Sequence, residues 1–233
     1  MNKESAQQSA ILSIGGLRLT PDASGVLYES HEKLLIVSDL HLEKASSLAR
    51  RGSLLPPYDT LDTLKRLSLV VDRLRPQTII SLGDTWHDTH GPSRMSDDNA
   101  AIFTALRKNM DWIFITGNHD PDPPHFSSAR VMDEIQMGGV HFRHEPKIKI
   151  TEPEIAGHLH PAAKLRAKGR SIRRKCFISD STRCILPAFG SLTGGLNVLD
   201  KAFDPLFPEQ KFLTHIVSSD QLFTVGPQSL VSD

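Results

Sequence analysis

Leu34-Leu35-Ile36-Val37-Ser38-Asp39-Leu40-His41 is an apolar run that breaks, within two residues, into a carboxylate and an imidazole. Such a run reads as a buried strand that delivers polar side chains to the edge of a sheet. The construction recurs four times. Thr78 to Leu82 runs into Gly83-Asp84, and Trp112 to Thr116 into Gly117-Asn118-His119-Asp120. Val140 to Phe142 precedes the lone His144, and Ile155-Ala156 precedes Gly157-His158-Leu159-His160. Five strands ending in histidines, carboxylates and an amide predict one polar edge assembled from distant parts of the chain.

These residue types are metal ligands. Asp39 and His41 are two apart, and an extended strand points residues i and i+2 to the same side, so the pair is expected to grip one ion together. The same arithmetic applies to His158 and His160, with Gly157 leaving room for close backbone approach. Asp84 stands alone at its strand end and suits a carboxylate with one oxygen on each of two cations. Asn118 supplies a neutral oxygen that adds no charge to repel a phosphate. Mixed imidazole and oxygen donors favour manganese, iron or zinc over calcium or magnesium. Two cations roughly 3.5–4 Å apart clamp the attacking and leaving oxygens of a displacement and lower the pKa of water from about 15.7 towards 7. His119, adjacent to Asn118, is expected to protonate the leaving oxygen or stabilise equatorial charge rather than bind metal.

The ordered set Asp-x-His, Gly-Asp, Gly-Asn-His, a single His and Gly-His-x-His resembles the calcineurin-like metallophosphoesterase superfamily. The resemblance implies an α/β fold of four layers, two mixed sheets flanked by helices on both outer faces. It assigns Asp39, His41 and His160 to a first metal, Asn118, His144 and His158 to a second, and Asp84 to both. Longer stretches, among them Glu43-Lys44-Ala45, Leu54-Leu55-Pro56-Pro57-Tyr58-Asp59-Thr60, Gly83 to Asp88, Phe142 to Pro146 and Leu186 to Gly190, resemble the bacterial ligase-associated DNA-damage-response phosphoesterases of the PdeM family. That resemblance runs from about Gly16 to Pro208. It implies an endonuclease acting on DNA, with functional association to DNA ligase and helicase. Protein phosphatases of this fold carry a phosphate-binding arginine shortly after Gly-Asp, where this chain has His87 and Asp88, which argues against phosphoprotein hydrolysis. A small phosphodiester or nucleotide is the alternative substrate. A non-catalytic interaction module is a third reading, disfavoured because every ligand and His119 are present.

The ligands span Asp39 to His160, so one domain over residues 15–225 is expected, with a mobile tail at 1–14 and a short tail at 226–233. No leader or membrane-spanning run is evident, and a cytoplasmic setting is expected. Cys176 and Cys184 then read as reduced, buried thiols. Leu61, Leu64, Val71 and Leu74 recur at helical spacing over Thr60 to Leu74 before Pro76, and Ser96 before Asp97-Asp98 reads as a helix N-cap. Pro121, Pro123 and Pro124 predict a stiff loop within Asn109 to Asp133 beside the site, where His125 and Phe126 more often do nothing than touch a leaving group.

Lys plus Arg and Asp plus Glu both number 27, so the overall charge steers nothing. Locally the picture changes. Lys164, Arg166, Lys168, Arg170, Arg173, Arg174 and Lys175 follow the last motif, with no acid between Glu154 and Asp180. The first four are two apart and, on an extended strand, would form a cationic rail leading from the metals along a polyanion. A solvated edge strand protected by its charges is the alternative. Arg143, before His144, either reaches the substrate phosphate or faces outward from its strand.

Overall fold

In a computed structural model, residues 10–53, 55–108, 110–124, 126, 129–167 and 169–233 are described. Seven strands form the first sheet in chain order: β1 (Leu12–Ile14), β2 (Leu17–Pro21), β3 (Leu27–Glu29), β4 (Leu34–Val37), β5 (Thr78–Leu82), β6 (Asp111–Ile115) and β7 (Ala129–Met132). The first four pair antiparallel, whereas β4 through β7 are parallel. The parallel strands are buried on both faces, which is why their sequences are continuously apolar instead of alternating. Leu34, Ile36, Ile80 and Ile113 face a central core, while Leu35, Val37, Ile79, Trp112 and Phe114 face an outer one.

The second sheet contains β8 (Glu134–Met137), β9 (Val140–Arg143), β10 (Glu154–Ala156), β11 (Pro161–Ala167), β12 (Arg170–Ser179), β13 (Arg183–Ile185), β14 (Leu196–Asn197), β15 (Leu213–Val217) and β16 (Leu222–Val225). It too is mixed: β9, β10 and β13 run parallel, and β11 and β12 form an antiparallel hairpin. Val140, Phe142, Ile155, Phe177 and Leu186 meet the first sheet in the central core. The architecture is the expected two-sheet α/β sandwich.

Among the described residues the α-helices are α1 (Lys44–Ala49), α2 (Asp59–Leu74), α3 (Gly91–Arg94) and α4 (Asp97–Arg107), all in the first half of the chain. Leu64, Leu67 and Val70 of α2 and Phe103 and Leu106 of α4 close the outer core of the first sheet. The Ser96 hydroxyl accepts from the Asn99 N–H at 3.3 Å, the anticipated cap. No described α-helix covers the second sheet. Its outer residues Ala163, Cys176, Ile178 and Ile185 pack against Val198, Phe203, Leu206, Phe207 and Phe212, a segment whose only helical element is the 3-10 turn Pro208–Gln210. Pro205 and Pro208 bar an α-helix there.

Three boundaries move. Residues 12–14, assigned to a mobile tail, are β1, with Ile14 fully buried, and residues 1–9 lie outside the described part. The 226–233 tail is anchored through Leu230 in the outer core of the second sheet. Within Asn109 to Asp133 the parallel edge strand β7 was not anticipated. Phe126 packs beside Trp86 and Phe103 under the Arg107 guanidinium, and His125 lies outside the described residues. The thiols are free and buried, Cys184 facing the central core and Cys176 the outer one.

Candidate metal centre

Every candidate ligand follows the C-terminal end of a strand. Asp39 and His41 follow β4, Asp84 follows β5, and Asn118 and His119 follow β6, while His144 follows β9 and His158 and His160 follow β10. Parallel strands bring those ends to one edge, the place where open α/β sheets collect their ligands. Backbone bonds zip the loops together: His41 N–H donates to Asp84 O at 2.9 Å, Gly157 N–H to His144 O at 3.0 Å, and Gly190 N–H to Asp39 O at 3.0 Å.

The extended-strand argument for the paired ligands does not survive. Asp39, His41, Asp84, His158 and His160 have φ of 54°, 43°, 47°, 68° and 46°, the left-handed region that non-glycine residues rarely enter. Each such residue costs roughly 1–3 kcal/mol and persists only where its surroundings over-determine it. Two glycines show how tight those surroundings are. A Cβ on Gly157 would lie within van der Waals overlap of the Ser38 hydroxyl and Asp39 Oδ2, and one on Gly83, at φ 76°, would strike the His144 ring.

His158 and His160 consequently diverge. His160 Nε2 lies 3.0 Å from Asp39 Oδ1 and 3.3 Å from His41 Nε2, closing one group. His158 Nδ1 lies 3.0 Å from Asn118 Oδ1 and 3.2 Å from His144 Nε2, closing a second. Asp84 stands between them, Oδ2 3.6 Å from His41 Nε2 and Oδ1 3.5 Å from His144 Nε2. Asp39 Oδ1 also lies 3.9 Å from His144 Nδ1, so the two groups adjoin.

The donor chemistry fits divalent cations. Asp39 Oδ2 accepts from the Ser38 hydroxyl and the His158 N–H, whereas its buried Oδ1 faces His160 Nε2 at 3.0 Å without well-aligned hydrogen-bond geometry. Ring nitrogens of different histidines converge at 3.2–3.3 Å, an arrangement a shared cation explains. Burial drives His41 down to about 2 and also lowers His158, keeping both imidazoles in the neutral form a metal requires. Burial alone would raise Asp39, but His160, His144 and His41 outweigh it and hold the carboxyl at about 2. The His144 Nδ1–H donates to Leu82 O at 2.8 Å, orienting Nε2 into the site.

His119 is built differently. Its Nδ1–H donates to His87 O at 2.8 Å, leaving Nε2 free 4.0 Å from Asp84 Oδ2, and the side chain remains 39% exposed. It thus presents an unbonded ring nitrogen at the open side of the site. Two neighbours escaped the sequence reading. His87 stacks on His119 with ring centroids 4.9 Å apart and places Nδ1 3.3 Å from His41 Nδ1. Its signal was present, since it occupies the stretch where an arginine was sought. Asp120, the last residue of the Gly-Asn-His-Asp motif, accepts from Trp86 N–H at 3.1 Å and tethers two ligand loops, and burial lifts its carboxyl to about 7.

Residues 32–175 match the family described as calcineurin-like phosphoesterase, well over half of the chain. The chain belongs to that family. As a calcineurin-like phosphoesterase it is a metal-dependent hydrolase of phosphoester bonds. Among solved structures, the Pseudomonas putida nuclease MPE is similar over 93% of this chain and 100% of that one, at 28% identity and a TM-score of 0.71. Yfce, a phosphoesterase from E. coli, is a looser likeness: 14% identity and a TM-score of 0.38 over 83% of this chain and 98% of that one. Among curated proteins none matches.

The residues anticipated to bind substrate lie differently from the expectation. Arg143 is buried, donating to Glu154 at 3.0 Å and pairing with Glu134 at 3.1 Å, so it neither reaches for a phosphate nor faces outward. Glu154, fully buried and also 2.7 Å from Arg183, had claimed it. The four-residue rail is broken, because β11 ends at Ala167 and Arg170 pairs opposite it on β12, while Lys168 lies outside the described residues. Directly opposed residues share a face, and the registers Lys164↔Arg173 and Arg166↔Ser171 define a cationic face that excludes Arg170.

Proposed function

We propose that this chain is a two-metal phosphodiesterase acting on nucleic acid, with DNA as the substrate and His119 as the proton donor. The observation that carries the reading is the position of Asp84 between two ligand groups, one oxygen towards each. Asp39, His41 and His160 would hold one ion and Asn118, His144 and His158 the other, with manganese the metal to test first. Bound there, the ions would supply hydroxide at neutral pH and offset negative charge on the phosphoryl oxygens. His119 would hold the proton at Nε2, its other ring nitrogen being committed to the His87 carbonyl, and transfer it to the departing oxygen. Likeness to a nuclease over its whole length supports the polynucleotide substrate. The sequence resemblance supports a cytoplasmic role in ligase-associated repair, to be tested by co-purification with DNA ligase and helicase.

Asp84→Asn tests the bridge. It keeps a side chain that tolerates left-handed backbone but removes the shared charge. We expect fewer than two metals per chain and diesterase activity down by on the order of 10³-fold or more. Two metals with near-normal turnover would show that Asp84 bridges nothing. Reconstitution with manganese, iron or zinc, assayed on single-stranded DNA, duplex DNA, a cyclic nucleotide and an aryl phosphodiester, separates the polynucleotide reading from the small-substrate one.

A further inference from the structure

The cationic face of the β11–β12 hairpin already holds an anion from this chain. Arg173 Nη1 lies 2.6 and 2.8 Å from the two carboxylate oxygens of Asp233, and Lys164 Nζ adds a contact at 3.5 Å. Lys164 Nζ also donates to Ser232 O at 3.1 Å. The backbone arrives along the sheet edge. β14 pairs with β11 only at Pro161 and Ala162, and Val198 N–H takes the Ala162 carbonyl. Two residues further, Val231 N–H takes the Lys164 carbonyl at 2.9 Å, while the Asn197 amide donates to Val231 O at 3.0 Å. From Leu230, packed in the outer core, the segment crosses the edge of β11 to place Asp233 on the opposite, cationic face.

We infer that Leu230–Asp233 is a displaceable clasp that competes with the phosphates of a nucleic-acid strand for the Lys164–Arg173 face. The inference rests on the nucleic-acid reading above. Chemistry and strength both point this way. Arg173 Nη1 donates to both carboxylate oxygens while Nη2 is held by Gly195 O at 2.6 Å, and the same charge-assisted N–H groups suit phosphate oxygens. Asp233 and Arg173 are 55% and 39% exposed, so their pair is weak and salt-screened, easily exchanged for a polyanion whose binding releases counterions. Arg166, beyond the clasp on the same face, has no hydrogen bond or ion pair among the described residues. It would be the first cation to meet an incoming strand.

The test measures binding of a fluorescent single-stranded oligonucleotide to the full chain in a His119→Ala background that leaves the probe intact. Asp233→Asn, and separately a chain stopped after Leu230, should bind about two- to five-fold more tightly, with the gain shrinking at high salt. Asp233→Asn should add nothing once Arg173→Ala is present. If neither clasp variant changes affinity while Arg166→Ala weakens it, the clasp is idle and the nucleic-acid track stands. If Arg166→Ala and Arg173→Ala also leave affinity unchanged, no strand uses this face and the inference falls with its track. Should the shortened chain fail to fold, Asp233→Asn decides alone, because it alters one exposed side chain.

Discussion

His160 separates two regions built on opposite physical terms. Before it, Asp39, His41, Asp84 and His144 are buried, the ligand loops are cross-linked by backbone hydrogen bonds, and Asp39, His41, Asp84 and His158 hold left-handed conformations that their neighbours enforce. After it, the outer part of the hairpin exposes residues 170–174 on β12 and is held at its edge by a few weak contacts from 230–233. Chemistry needs groups fixed to within a fraction of an ångström, whereas recognition of a repeating polyanion needs only charge at the right density. Substitutions in the first region should therefore change rate or folding steeply, and those in the second should change affinity by small, additive, salt-dependent steps.

Beyond the bridge, the steepest effect is expected at His119. His119→Ala should retain both metals and lose roughly 10²–10⁴-fold in rate on an alkoxide leaving group. The loss should shrink for a nitrophenolate ester, which departs without protonation. Equal losses on both esters would contradict proton donation and blur the contrast between the two regions.

Arg143→Ala probes the packing behind the ligands. Removing it leaves Glu154 buried with one fewer cation, at a cost of about 3 kcal/mol, or a Tm lower by roughly 6–12 °C in a chain this size. KM for an aryl phosphodiester should barely move. A large rise in KM with unchanged Tm would return Arg143 to substrate binding.

His215 tests the buried root of the same sheet, where β15 pairs with the inner half of β12. Its ring sits between the Ser179 and Thr224 hydroxyls, 2.9 Å from each, and burial lowers it to about 4. The unfolded chain binds this proton near pH 6.5 and the folded chain only near 4, so stability is complete above pH 6.5 and declines as pH falls through that window. The decline attributable to His215 reaches on the order of 3 kcal/mol. Denaturant midpoints of His215→Gln across pH 4–7 should show a flatter dependence, and an undiminished slope would assign the acid sensitivity elsewhere.

The smallest step belongs to the hairpin. Arg166→Ala should flatten the slope of log affinity against log salt for a single-stranded oligonucleotide by about 0.7. Arg170→Ala, on the other face, should change it less. Equal effects would mean that the strand wraps the hairpin instead of following one side.

The sequence by itself determined the apolar strands that end in candidate ligands and the helices α2 and α4, while β1 and β7 escaped it. Apolar runs that end in ligand residues carry that information locally, and burial on both faces makes the parallel strands legible as unbroken hydrophobic stretches. The family resemblance supplied the partition of ligands between two groups. Spacing misled at His158 and His160, because the i, i+2 rule assumes extended backbone and these residues are left-handed. That conformation is imposed by loops packed across the site, and no local preference of histidine announces it. Tertiary structure alone decided which cations are free. Arg143 is neutralised by Glu154, eleven residues further along the chain but on the neighbouring strand, and Lys164 and Arg173 meet Asp233 from the far end of the chain. A local count of basic residues cannot see such partners, because electrostatic pairing depends on distance in space and not on position in the sequence.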